Sequence, residues 1–222
     1  MAMLDDLLKI PGTVAAGEST ADGKLVDYKA KMDMSPELAA TASKFTATMT
    51  MVFDALAAAY SELGQMAWVP QGGWMYSGGD WTVVVSGSQW NVIKTAEASF
   101  SKVSDPQTRA IRVATLDDIL KLKGAFAAGE YAPDGKSLAC KAKIDLSPEM
   151  AATAAQFAAS ITLMCSTLAG AYTGLSKMAW VPVQGWLYSG GEGTCATSGT
   201  HWTFIRTAEA DFDELYGALI GL

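Results

Sequence analysis

The sequence predicts an α+β protein with α/β/α-like layers, in which one domain occurs twice and the two copies form an intramolecular pseudo-dimer. The first observation is a repeat: Leu4–Lys9 returns as Leu116–Lys121, at an offset of about 112 residues without a gap. The second is the order of hydrophobic patterns in each copy, which is a helix, two strands, a long helix, three strands and a helix. We expect the copies at residues 3–102 and 115–222, with residues 103–114 as the linker.

Two further motifs recur at the same offset. Met66–Pro70 returns as Met178–Pro182, and Tyr76–Gly79 returns as Tyr188–Gly191. Roughly half of the aligned positions are identical, and a period of this length is that of a whole domain rather than of a solenoid repeat. Because two near-copies in one chain always have each other as neighbours, the duplication predicts a pseudo-symmetric pair.

Each copy begins with a short helix and a hairpin. Leu4–Ile10 has apolar residues at helical spacing and acidic residues in its first turn, where the helix dipole favours them. Ala21–Gly23 contains an Asp-Gly pair between two extended runs, Val14–Glu18 and Lys24–Lys31. Such a pair between short strands is typical of a β-hairpin.

A long helix follows the hairpin. Ser35-Pro36-Glu37 supplies a capping hydroxyl, a proline at the first helical position and an early carboxylate, and the helix is expected to end near Gly64. Its counterpart, Met150–Leu175, contains no charged residue. We expect both helices to be buried nearly all round, against the sheet and against each other. The small residues expected to line their seam are Ala55, Ala58, Ala59, Gly170 and Ala171.

Three short strands and a final helix complete each copy. Trp74–Tyr76, Trp81–Ser86 and Trp90–Lys94 are separated by glycine-containing turns, which predicts a meander. Thr95–Phe100 opens a last short helix, which the second copy extends through Leu215–Leu219.

Composition argues against two classes of partner. The net charge is −7 and no cluster of lysine or arginine occurs, so neither nucleic acid nor an anionic membrane surface is an expected partner. The uncharged long helix of the second copy has the length of a membrane span, but its counterpart carries Lys44, Asp54 and Glu62. Three cysteines without a CxxC pair, and no recognisable signal peptide, predict a cytoplasmic protein.

No catalytic constellation is visible in the sequence. His201 is the only histidine, and its counterpart in the first copy is Gln89. The cysteines are scattered and no phosphate-binding loop is present. We therefore expect no enzyme activity, no cofactor and no metal site.

The aromatic residues of the repeated motifs are the first candidate site. One interpretation is that they cover the sheet beneath the long helix; the other is that they form an apolar interaction or ligand surface whose polar tips can hydrogen-bond. Trp74 and Tyr76 alternate with Met75 and must share one face of their strand. The six residues are Trp68, Trp74, Tyr76, Trp180, Trp186 and Tyr188.

Two acidic residues are the second candidate. Glu18 and Glu130 lie in otherwise small, apolar strands. Each is interpreted either as a solvated strand end or as a carboxylate in a pocket beside Lys31 or Lys143.

The order of elements and the opening of each copy resemble the roadblock / dynein light chain family. The residues that carry the likeness are the helix from Leu4, the Pro-Gly turn at Pro11-Gly12 and the small-residue strand to Gly17. More narrowly, Leu4–Gly12, Ala15–Glu18 and Met66–Pro70 resemble an uncharacterised prokaryotic domain family of unknown function. The broader resemblance implies sheets joined edge to edge, paired long helices and a non-catalytic platform that regulates or scaffolds small GTPases.

The sequence therefore favours a protein-interaction or scaffold module, built as a fused pseudo-dimer with an unknown protein partner, which the resemblance implies to be a small GTPase. Further self-association is a second expectation. The alternative is a small-ligand sensor with an apolar aromatic pocket between the long helix and the tryptophan-bearing strands.

Overall fold

A computed structural model describes residues 4–64, 67–97, 115–212 and 214–215. The first copy contains α1 (Leu4–Leu8), β1 (Thr13–Ser19), β2 (Leu25–Ala30), α2 (Pro36–Gly64), β3 (Gln71–Gly78), β4 (Trp81–Ser86) and β5 (Gln89–Lys94). The second contains α3 (Leu116–Ile119), β6 (Ala125–Tyr131), β7 (Ser137–Ala142), α4 (Pro148–Ser176), β8 (Val183–Gly190), β9 (Gly193–Ser198) and β10 (His201–Arg206).

The predicted order of helices and strands is confirmed as far as the structure describes each copy. A 3-10 helix begins the predicted final helix in each copy, at Thr95–Glu97 and Thr207–Glu209. The predicted continuation to Phe100, the linker at 103–114 and most of the extension to Leu219 lie outside the described residues.

Within the described residues, ten strands form one antiparallel sheet in the order β2-β1-β5-β4-β3-β8-β9-β10-β6-β7. β3 pairs with β8 and thereby joins the two copies. At the centre of this pairing Met75 lies opposite Leu187, which is its own counterpart in the repeat. The pseudo-two-fold axis of the duplication therefore passes between these two residues.

The two long helices cover one face of the sheet and contact each other. Phe45, early in α2, stacks on Tyr172, late in α4, with ring centroids 5.6 Å apart, so the helices run antiparallel. The predicted small-residue seam is wrong: Ala55, Ala58, Gly170 and Ala171 are all exposed, and the side chain of Ala59 lies outside the described ones. Each helix directs its larger buried residues at the sheet, and aromatic rings bridge the seam instead.

The opposite face of the sheet is also buried. Its core consists of Met75, Ala125, Leu187, Ala196, Ile205 and Leu215. The short helices α1 and α3 contact the outer strands of their own copies, and Leu122, which follows α3, packs against this core. The sheet is thus apolar on both faces, which accounts for the high hydrophobic content of the chain.

One buried indole differs between the copies. Trp90 Nε1 donates to Ser43 Oγ on α2, 3.2 Å away. Its counterpart Trp202 is equally buried, but its Nε1 has no partner among the described residues, because Ala155 stands where the first copy has Ser43. A buried donor without an acceptor costs free energy.

This difference gives a matched pair of predictions. We expect Ser43→Ala to lower the free energy of unfolding by about 1–3 kcal/mol, since it leaves the Trp90 indole unpaired. We expect Ala155→Ser to raise it by about 1 kcal/mol, since the new hydroxyl accepts from Trp202. Urea denaturation of both variants checks this, and a loss of stability in both would contradict the account of Trp202.

Candidate functional site

The two repeated motifs meet each other across the pseudo-two-fold axis. Residues 67–70 of the first copy accept hydrogen bonds from residues 188–192 of the second, and residues 179–182 do the same for residues 76–80. We call these two contacts the reciprocal clasp. In one half, Gly191 N donates to Pro70 O at 2.9 Å; in the other, Gly79 N donates to Pro182 O at 2.9 Å.

A tyrosine anchors each half of the clasp. The Tyr76 hydroxyl donates to Trp180 O at 2.5 Å, and the Tyr188 hydroxyl donates to Trp68 O at 2.8 Å. Burial raises the pKa of both hydroxyls far above the ordinary tyrosine value, so both stay protonated donors through the physiological range. The tyrosines of the candidate site therefore hold the copies together.

All six aromatic candidates lie in the core. None of Trp68, Trp74, Tyr76, Trp180, Trp186 and Tyr188 is more than 4% exposed. Trp74 Nε1 donates to Thr50 Oγ1 on α2 at 2.8 Å, and Trp186 Nε1 donates to Thr162 Oγ1 on α4 at 2.9 Å. The interpretation as an exposed surface is corrected in favour of the core interpretation, because the long helices cover these rings.

The two glutamates are half-buried and lie apart from the lysines proposed as their partners. Glu18 Oε1 accepts from Ser88 Oγ at 3.1 Å. Lys31 lies opposite Val14, four residues before Glu18 on β1, and its backbone N–H donates to Val14 O. Its side-chain ammonium donates to Leu8 O. Lys143 pairs in the same way with Phe126 O, away from Glu130. The hypothesis of a carboxylate pocket beside these lysines is therefore wrong.

A shallow pocket of about 340 Å³ lies beside Trp81 in the first copy, where the start of β1 meets the end of β5. It is not between the long helix and the tryptophan-bearing strands, where the sensor alternative places its pocket. Its lining residues are Gly12, Thr13, Val14, Lys31, Met32, Trp81, Lys94 and Glu97.

The described thiols are not activated. Burial raises the pKa of Cys165 and Cys195, which lie in the core, and also raises that of Cys140 on the edge strand β7. A raised pKa keeps a thiol protonated and a poor nucleophile at neutral pH. Within the described ranges, no three His, Cys, Asp or Glu side chains are grouped so that they could hold a metal ion.

The most unusual exposed surface is one that the sequence interpretation missed. The solvent-facing sides of α2 and α4 expose large apolar side chains, and the two at their centres, Met51 and Leu163, are counterparts in the repeat, 65% and 68% exposed. Met164 and Leu175 continue this surface along α4. We call these four residues and the helix surface between them the outer helix face.

α4 contributes no charge to this face. Residues 150–176 contain no Asp, Glu, Lys or Arg, yet the helix exposes a continuous side to solvent. By length and composition alone α4 could cross a membrane, with a mean hydropathy of 1.3, and 39% of its most apolar window is buried within the protein. The prediction of helices buried nearly all round is therefore wrong for both, since α2 also exposes Lys44 and Met51 to solvent.

Comparisons with known proteins place the chain in a family. A search of curated proteins and a search of solved structures each found no match. The model of one family, described as an uncharacterized conserved protein (DUF2173), matches residues 3–106 and again residues 115–220. The chain therefore belongs to the DUF2173 family and contains the domain of that family twice.

Proposed function

We propose that this chain is a non-catalytic protein-interaction or scaffold module, a fused pseudo-dimer that docks its partner on the outer helix face. The observation that carries the proposal is the exposure of Met51 and Leu163 at the centre of a paired helix layer whose α4 half is uncharged. Large exposed apolar side chains grouped on one side of a folded domain are typical of an interaction site. Burying one such side chain stabilises a complex by about 1.5–3 kcal/mol.

Several observations support a binding role over a catalytic one. The aromatic motifs serve the core and the reciprocal clasp, and the thiols have raised pKa values. The pseudo-dimer is held together by backbone hydrogen bonds on both sides of its axis, so the helix layer is a rigid base. A rigid base lowers the entropy cost of docking a partner.

The resemblance to roadblock domains supports a partner class. Each copy has a helix, two strands, a long helix and three strands, and the copies share one sheet and pair their long helices. On this basis the proposed partner is a small nucleotide-binding protein, such as a small GTPase, and the proposed site of action is the cytoplasm.

A crosslinking pull-down from native lysate tests the proposal, with the wild type beside Met51→Lys. We expect the wild type to capture a nucleotide-binding protein and Met51→Lys to capture at least ~10-fold less, because a charge at the centre of an apolar contact removes a hot spot. The matched control is Val26→Lys on the edge strand β2, an apolar residue that is 58% exposed outside the outer helix face.

The control separates loss of a docking face from a general effect of added charge. Equal capture by the wild type and Met51→Lys would show that the partner docks elsewhere and would overturn the assignment of the face. Capture of no nucleotide-binding protein by any variant would overturn the partner class.

A further inference from the structure

We infer that the α4 half of the outer helix face binds a second copy of this chain, with α4 packed antiparallel against α4 about a two-fold axis near Thr167. The inference rests on the proposed function, in which the outer helix face is a docking surface. It names the occupant of one half of that face and leaves the α2 half for another partner.

Charge makes the α4 half the part of the outer helix face on which a second copy can dock. Two copies with a net charge of −7 each repel one another, so self-association requires a face that adds no further repulsion. A two-fold contact places the same surface of both copies face to face, so exposed charges of one sign on that surface would lie close to those of the other copy. α2 exposes Lys44 and carries the half-buried Asp54, whereas α4 is uncharged from Met150 to Ser176.

The shape of the exposed side of α4 is complementary to itself. Leu163 projects from its centre, and Gly170 and Gly174 follow on the same side two and three turns later. A Cβ added at either glycine would meet no heavy atom within 4 Å, so no side chain fills the space above them. We call this open space the notch. In an antiparallel pair centred on Thr167, Leu163 of each copy lies over the notch of the other.

The contact also continues an interface that the chain already has. α4 packs against α2 along one flank, so an α4–α4 contact would produce a four-helix layer in the order α2-α4-α4-α2. Small residues at the crossing allow close approach of the helix backbones, and Leu163 and Met164 supply the apolar area. Met51, on α2, lies outside this crossing and stays accessible.

Sedimentation velocity of the purified full chain tests the inference. We expect the wild type to change from a 23.3 kDa species to one of twice that mass as its concentration rises. We expect Leu163→Glu to weaken this association at least ~10-fold, because a carboxylate would enter the apolar notch. The matched control is Leu138→Glu on the edge strand β7, at a residue that is 55% exposed. This variant should associate as the wild type does.

A charge exchange at the proposed axis tests the geometry. Thr167 is exposed and would face Thr167 of the other copy. We expect Thr167→Glu and Thr167→Lys each to be monomeric, because like charges meet, and an equimolar mixture of the two to recover the doubled mass. An unrelated association would not depend on mixing these two variants.

Several outcomes overturn the inference. A wild type that stays at 23.3 kDa at every concentration overturns it, and binding of that monomer to neutral phosphatidylcholine vesicles, lost in Leu163→Glu, would assign the face to a bilayer instead. A dimer that survives Leu163→Glu overturns the location of the contact. The proposed function fails separately, since its readout is the sensitivity of partner capture to Met51→Lys.

Discussion

Adding one methyl group at Gly79 is expected to destabilise the whole pseudo-dimer. Gly79 adopts a φ of +55°, and its amide donates to Pro182 O within the reciprocal clasp. A Cβ there would overlap the carbonyl oxygen of Ala179, a backbone atom fixed by the clasp itself. The left-handed conformation costs about 1–2 kcal/mol and forced overpacking a further 1–3 kcal/mol, so Gly79→Ala should lose about 2–5 kcal/mol.

Gly87 provides a control that isolates the clasp. It has a φ of +57° in the next hairpin, but a Cβ at this position would meet nothing within 4 Å. Gly87→Ala should therefore pay only the backbone cost of about 1–2 kcal/mol. Urea denaturation measures both, and equal losses would contradict a steric role for Gly79 in joining the copies.

The repeat made the elements predictable but not the contact between them. The Met-Ala-Trp-Val-Pro and Tyr-Ser-Gly-Gly motifs stand out in the sequence because both copies contain them. Because β3 pairs with β8, the Met-Ala-Trp-Val-Pro motif of each copy contacts the Tyr-Ser-Gly-Gly motif of the other copy. A pairing between strands more than one hundred residues apart leaves no signal in local periodicity.

The candidate site was predictable in part. Alternation correctly placed Trp74 and Tyr76 on one strand face, but a pattern of period two cannot tell which face is covered. Tryptophan favours both buried strands and interaction surfaces, so its residue type left both interpretations open. The Glu18 hypothesis failed on register, since antiparallel pairing sets Lys31 opposite Val14 rather than opposite Glu18.

The exposure of α4 was obscured by its composition. Alanine, serine, threonine and glycine dominate both its buried and its exposed sides, so hydrophobicity changes little around the helix. Without charges to mark the solvent side, the pattern is that of a helix buried all round. In the structure, α4 packs against the sheet on one side and against α2 along a single flank. Its remaining side is therefore exposed to solvent.

Phe53→Ala is expected to cause a loss of similar size by a different mechanism. Phe53 lies on α2, is fully buried and packs on Trp74 of its own copy and on Trp186 and Tyr188 of the other, with ring centroids 5.5–5.7 Å apart. Truncating a buried phenylalanine removes transfer free energy and leaves a cavity, which costs about 3–5 kcal/mol.

The position of Phe53 also determines how the variant should unfold. Its ring touches aromatic residues of both copies at the joined strands, so the cavity weakens both cores and their junction together. Calorimetry should show a single transition at lower temperature, whereas Phe212→Ala, at a residue 40% exposed, should change stability by less than about 0.5 kcal/mol. Two separate transitions would mean that the copies fold independently. One transition would mean that the shared aromatic core makes the duplicated domains a single cooperative unit.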